Sequence, residues 1–189
     1  MNDTRRWRGH VFIGVSLDGF IARPDGDLAW LTNPPGRREH LRAESAQPAE
    51  SWETFFPKID HIVMGRGTYD TVVGFDEWPD MYDDKTVIVL STTLPCETSG
   101  VTIVRTLGEA VDLLDGCDAR EVYVDGGQTI QSFLRAGLVD EITTCWAPIL
   151  IGRGRRLFDT IERDVLLTLV GNHTTDLGMV HSTYRVERH

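Results

Sequence analysis

Apolar residues along the chain gather into short, nearly continuous runs. "HVFIGVS" (His10 to Ser16), "HIVMG" (His61 to Gly65), "TVIVLS" (Thr86 to Ser91), "VTIV" (Val101 to Val104) and "REVYVD" (Arg120 to Asp125) are strand-length, rich in Val and Ile, and bounded by polar residues or glycine. Runs without apolar/polar alternation fit strands covered on both faces, as in a parallel sheet. Between them the period changes. A helical stretch begins at Thr68. After Thr106, a predicted N-cap, "LGEAVDLLDG" sets Leu107, Ala110, Val111 and Leu114 on one face and ends at Gly116. A further helix is predicted from Thr129 to Ala136, closed by Gly137. The tail, "DEITTCWAPIL", "VLLTLVGNHT" and "MVHSTYRVER", reads as two or three long strands with no helix between them.

This order predicts an α/β chain: βα units around a parallel core, finished by an antiparallel hairpin or meander. No repeat, low-complexity tract or linker interrupts it. One long irregular region, Leu17 to about Gln47, is the natural substrate-side candidate, because structureless loops of that length seldom persist without a function. With 189 residues and 41% hydrophobic content, residues 1–189 are expected to form one domain.

Charge narrows the partners. A formal net charge of -10 argues against nucleic acid, whose binding relies on a basic surface that releases counterions. Arg37-Arg38 and Arg153-Gly154-Arg155-Arg156 remain available to an anionic small molecule, or are solvated surface charge. No apolar run is long enough for a membrane span, so a soluble, cytoplasmic protein is expected. Cys96, Cys117 and Cys145 show no CxxC spacing, and the six histidines show no metal-ligand pairing, so neither a disulfide framework nor a metal site is predicted.

Three strand ends carry small or hydroxyl residues: Gly65-Arg66-Gly67-Thr68, Ser91-Thr92-Thr93 and Gly126-Gly127-Gln128-Thr129. In open α/β sheets ligands bind beyond such ends, where helix N-termini attract phosphate. Three of them suit a long, multiply phosphorylated ligand, with Arg66 as a fixed cation and Thr68, Ser91 and Thr92 as hydroxyl donors. Neither the dinucleotide fingerprint nor the P-loop pattern is present. The adjacent glycines after "VYVD" imply either a tight turn or a close approach that excludes a side chain.

"FIGVSLDGFIA", "IVMGRGTYD", "VIVLSTT" and "VYVDGGQTIQSFL", in that order, resemble the dihydrofolate reductase superfamily. "SLDGFIA" with "APILIGRGRRLF" is similar to its riboflavin-pathway branch, the C-terminal pyrimidine reductase domain. The resemblance implies a three-layer fold with a mostly parallel central sheet, a C-terminal antiparallel hairpin and flanking helices. It also implies an NADPH-dependent reductase acting on a small molecule, and a homodimer joined through the C-terminal strands. Gly65, Arg66, Gly67 and Thr68 would hold the cofactor's pyrophosphate and adenosine side, and Ser91 and Thr92 would meet its 2′-phosphate. Gly126, Gly127, Gln128 and Thr129 would pass close to the pyrophosphate, and the backbone of Gly14 and Ile21 would grip the nicotinamide carboxamide.

The departures shape the substrate expectation. Only eight residues separate Asp18 from Asp27, too few for the pterin-recognising acidic helix of dihydrofolate reductases, which argues against a folate. The zinc deaminase signature fused to many riboflavin-pathway reductases is absent. The expected substrate is a ribosylaminopyrimidine phosphate, 5-amino-6-(5-phosphoribosylamino)uracil. Alternatives are another imine, enone or heteroaromatic compound, or a non-catalytic nucleotide-binding module. Asp18 and Asp27 are the candidate proton-handling carboxylates; Asp18 is otherwise a turn-former at Gly19, and Asp27 a cap for a helix starting at Leu28. Trp30, Thr32 and Arg37, with Gly152 and Arg153, are the candidate substrate-binding residues. Asp125 replaces the first of three glycines that in dihydrofolate reductases include a cis peptide.

Overall fold

The computed structural model describes residues 5–32, 48–74, 78–159 and 164–188. Ten strands and five α-helices are found among them. In chain order the strands are β1 (Arg8–Ser16), β2 (Phe20–Ala22), β3 (His61–Gly65), β4 (Thr86–Leu90), β5 (Thr102–Val104), β6 (Glu121–Asp125), β7 (Glu141–Ala147), β8 (Arg155–Arg156), β9 (Leu167–Thr174) and β10 (Val180–Val186). The helices are α1 (Ala29–Thr32), α2 (Trp52–Phe55), α3 (Arg66–Val73), α4 (Leu107–Gly116) and α5 (Gly127–Arg135). Eight strands form one sheet in the order β5-β4-β3-β6-β1-β7-β10-β9, and β2 pairs with β8. Contacts within the chain group into two compact units: 1–10 with 56–139, and 11–55 with 140–189.

The first unit is parallel. β3 pairs in parallel with β4 and β6, β4 with β5, and the start of β1 with β6. Ile62, Val63 and Met64, Val87, Ile88 and Val89, and Val122 and Val124 are almost fully buried, which explains the unalternating apolar runs: a parallel strand with both faces covered has no wet positions. α4 supplies Ala110 and Leu114, and α5 supplies Ile130, Phe133 and Leu134. Thr106 caps α4 as predicted, its hydroxyl accepting from the Glu109 N–H at 3.1 Å. Gly137 (φ +68°) follows α5.

The second unit is antiparallel. β10 lies between β7 and β9 and pairs antiparallel with both. Its core includes Phe12, Val15, Phe55 and Ile142, with Phe12 stacked on Phe55 at 5.0 Å between centroids. The region expected to be irregular from Leu17 is more ordered over its described residues: β2 pairs antiparallel with β8, and α1 follows. β8 and β2 are too short for a periodicity signal, and their register comes from contacts distant in sequence. Among the described residues no helix is long and apolar enough to cross a membrane.

Candidate functional site

In the first unit, β3 runs into α3 and β6 into α5 with no intervening loop. Each junction is a glycine N-cap: Gly65 for α3 and Gly126 for α5, neither with a side-chain cap. The two junctions interlock. A Cβ on Gly65 would lie 2.8 Å from the Thr129 hydroxyl, and one on Gly126 would collide with the Thr68 hydroxyl. Thr68 and Thr129 each lie three residues after their own helix's N-cap, so each helix start holds a glycine that admits the other's threonine. Gly126 also has φ +88°, a conformation that L side chains disfavour. Its glycine identity is thus explained by a close approach, though to Thr68 of the same chain. The helices begin at Arg66 and Gly127, two residues before the predicted starts, because the glycines are helix caps and not turn residues. No cis peptide occurs among the described residues.

Asp125 sits beneath the α5 start and accepts the Gly126 N–H at 2.7 Å. Burial pushes its carboxyl up to about 6, against the lowering effect of the Gly126 N–H and the Tyr123 side chain. Burial and the Asp125 charge in turn push the Tyr82 phenol up to about 12.

Beyond the end of β4, Ser91 is buried and accepts from the N–H groups of Thr93 (3.3 Å) and Leu94 (3.1 Å). Its hydroxyl shapes the turn, while Thr92 and Thr93 stand exposed. Arg66 bridges from α3 to this turn: Nε donates to Asp70 at 2.6 Å and Nη1 to the Thr93 hydroxyl at 3.2 Å. Arg105 approaches the same turn from the end of β5, donating to the Ser91 carbonyl at 2.6 Å and to the Cys96 sulfur at 3.0 Å. Thr93 closes the Ser91-Thr92-Thr93 strand end seen in the sequence, whereas Arg105, visible there only as a cation between a strand and an N-cap, is brought to this turn by the fold.

In the second unit, Asp18 is held by several donors. The Ser16 hydroxyl donates to Oδ1 at 2.6 Å, and the N–H groups of Ile151 and Gly152 donate at 3.3 and 2.8 Å. Burial works to raise its pKa, but these donors outweigh burial and keep it below the ordinary carboxylate value. Asp18 therefore fastens the turn after β1 to residues 151–152, a contact more than 130 positions away that no local turn motif reveals. α1 begins at Ala29, one residue after the predicted start, and Asp27 closes the turn before it, accepting from the Ala29 N–H at 3.2 Å and pairing with Arg23 at 3.4 Å. Trp30 is buried with Phe20, Ala147 and Ile151, and its indole Nε1 has no hydrogen-bond partner among the described residues. Thr32 donates to the Leu28 carbonyl at 3.3 Å. A Cβ on Gly14 would lie 2.5 Å from Leu31, so packing within the chain explains that glycine. Ile21 lies in β2. Gly152 (φ +76°) and Arg153 are exposed. Arg37 lies outside the described residues. Among the described residues no cluster of His, Cys, Asp and Glu is arranged to hold a metal.

A model of the RibD C-terminal domain matches residues 9–181. The chain belongs to that family. Among solved structures, this RibD C-terminal domain protein is similar to a putative riboflavin biosynthesis protein from Shewanella sp. PV-4. The two share 33% identity and a TM-score of 0.79, over 96% of this chain and 99% of the other. It is also similar to dihydrofolate reductase from Enterococcus faecalis, with a TM-score of 0.67, 18% identity, and 97% and 99% coverage. The fold is dihydrofolate reductase-like: a mostly parallel central sheet with an antiparallel hairpin and flanking helices. The uncharacterised protein YyaP of Bacillus subtilis (strain 168) is 24% identical over 97% of both chains.

Proposed function

We propose that this RibD C-terminal domain protein is an NADPH-dependent reductase of a small heterocyclic substrate, 5-amino-6-(5-phosphoribosylamino)uracil or a close relative. The observation that carries the reading is the interlocked pair of helix starts flanked by Arg66 and Arg105. Two glycine-capped N-termini side by side attract a pyrophosphate, since both present N–H groups and the positive end of a helix dipole. Gly65, Gly67, Thr68, Gly127, Gln128 and Thr129 belong to those starts. Arg66, Thr92, Thr93 and Arg105 surround the turn assigned to the 2′-phosphate, with Ser91 holding its shape. NADPH bound there supplies the hydride.

In the second unit, the backbone of Gly14 and Ile21 is assigned to the carboxamide. Thr32, Arg37, Gly152 and Arg153 are assigned to the substrate and its phosphate, together with Trp30, which packs with Phe20, Ala147 and Ile151. Asp18, held ionised by its donors, is assigned to positioning residues 151–152 and not to proton donation. Because both candidate carboxylates act as acceptors within the chain, the second reading is a reductase of another imine, enone or heteroaromatic compound that draws its proton from solvent.

Assembly is assigned to β9. Among the described residues it ends the sheet order, and Leu167, Leu169 and Val170 on it are exposed. An apolar edge strand invites a second copy, and we assign that copy as a homodimer partner in the cytoplasm.

The test is titration with NADPH and NADH, read by quenching of the five tryptophans. Saturable binding with NADPH about tenfold or more tighter than NADH is expected, in keeping with a charge-assisted contact to the extra phosphate. Equal affinities would remove the 2′-phosphate assignment. Binding of neither would leave a non-catalytic module.

A further inference from the structure

At the other end of β3, three residues with no part in the reductase reading form a nucleophile, a base and an orienting acid. Cys117 follows α4, and its sulfur lies 3.3 Å from His61 Nε2. His61 Nδ1 lies 2.6 Å from Asp60 Oδ1. Asp60 is itself fixed, accepting from the N–H of Arg120 at 3.1 Å and of Glu121 at 3.2 Å. We propose that Cys117 is a second reactive centre, a thiol nucleophile that exchanges with small neutral disulfides using His61 as its base.

The hydrogen-bond chemistry sets the direction. An ionised carboxylate only accepts, so Nδ1 of the neutral imidazole carries the hydrogen and Nε2 turns its lone pair toward Cys117. Among the described residues the thiol hydrogen has one competing acceptor, the Leu114 carbonyl at 3.5 Å, which is longer than the contact to His61. His61 is largely buried at the start of β3, so its ring is held in place, whereas Cys117 is exposed and open to a reagent. Nucleophile, base and orienter within hydrogen-bond reach is the arrangement that activates a thiol. β3 has five residues, which separates this cluster from the Gly65 end by about 13 Å at a strand's rise. The two sites are therefore distinct.

The surroundings choose the reagent. Asp115 and Asp118 flank Cys117 in sequence and Asp60 and Glu121 lie at the neighbouring strand starts, against the cations Arg120, Arg8 at the start of β1 and Lys85 just before β4, so carboxylates outnumber cations around the thiol. A standing negative charge at the C-terminal end of α4 is disfavoured, so the proton passes to His61 as the sulfur attacks. Anionic reagents are repelled for the same reason. In the exchange, Cys117 Sγ forms a bond to one sulfur of the disulfide and the original S–S bond breaks. The departing sulfur takes the proton from His61 and leaves as a thiol. Cys117 is oxidised to a mixed disulfide, and the departing half is reduced.

The test is the rate of Cys117 labelling by neutral 4,4′-dithiodipyridine at pH 7, read on its peptide by mass spectrometry so that Cys96 and Cys145 are followed separately. Cys117 in the native protein should react about tenfold or more faster than in the guanidinium-unfolded chain. His61→Gln, checked for native circular dichroism, should remove most of that gain. The dianionic 5,5′-dithiobis(2-nitrobenzoate) should show a smaller native-over-unfolded ratio than the neutral reagent. Native Cys117 reacting no faster than the unfolded chain would overturn the proposal, and so would an unchanged rate in a folded His61→Gln variant. The wild-type comparison stands even if that variant fails to fold.

Discussion

Replacing Asp125 by asparagine removes an ionisable group from a place that disfavours its charge. Burial raises this carboxyl from 3.8 to about 6, roughly two pH units at about 1.4 kcal/mol each, or about 3 kcal/mol. The folded chain binds this proton more tightly than the unfolded chain. The group's effect on stability is therefore most favourable below pH 4, weakens as pH rises between about 4 and 6, and is constant above. The amide introduced by Asp125→Asn would keep an oxygen for the Gly126 N–H while carrying no charge. Urea unfolding should show the variant close to wild type at pH 4, and more stable than wild type by up to about 3 kcal/mol at pH 7.5. Comparing the two proteins at each pH cancels every other titrating group. A stability difference that is the same at both pH values would refute the assignment of a buried, charge-averse carboxyl beneath the α5 start.

The interlocked glycines predict unequal rescue. Gly65→Ala should destabilise by about 1–3 kcal/mol through overpacking, and Thr129→Ala in the same chain should recover most of it, since Gly65 has φ −82° and accepts a side chain. Gly126→Ala should recover only partly with Thr68→Ala, because its positive φ stays strained; a double-mutant cycle in denaturant reads both. Arg66→Ala should weaken NADPH by about tenfold and NADH far less, and equal weakening would count against a 2′-phosphate contact. His181 is held below 6.5 by burial first and then by the neighbouring His173, while Glu50 and Glu53 act in the opposite sense. Its stabilising effect is complete above pH 6.5 and declines as pH falls, so His181→Phe should flatten acid unfolding below that value. Leu169→Lys on β9 should convert a homodimer to monomer by sedimentation without changing the circular dichroism.

The parallel half of the fold was legible because its physics is local. Strands covered on both faces must be apolar throughout, and the Thr106 cap and Gly137 stand at fixed offsets from the helices they bound. β2 and β8 were not legible, since two- and three-residue strands exist only through their pairing with each other. The same division runs through the site. Gly65-x-x-Thr68 and Gly126-x-x-Thr129 could be seen as strand-end motifs, but that each glycine serves the other's threonine requires the two ends to be brought together. Asp18 shows the limit most plainly. Its neighbours Ser16 and Gly19 suggest a local turn, whereas the N–H groups that hold its carboxylate from a distance come from residues 151 and 152. Arg37 lies outside the described residues, and its role rests on resemblance.

The mutual fit of the two helix starts also governs how this protein can be rebuilt from parts. A strand-helix segment grafted from a relative at 61–73 brings a new residue at 65 or 68 and meets the old threonine or glycine of 121–135. The two segments are in effect one exchangeable cartridge, and chimaeras that cut between them should fold worse than those that move both. Variation at 65 and 129, and at 68 and 126, should therefore be inherited in pairs.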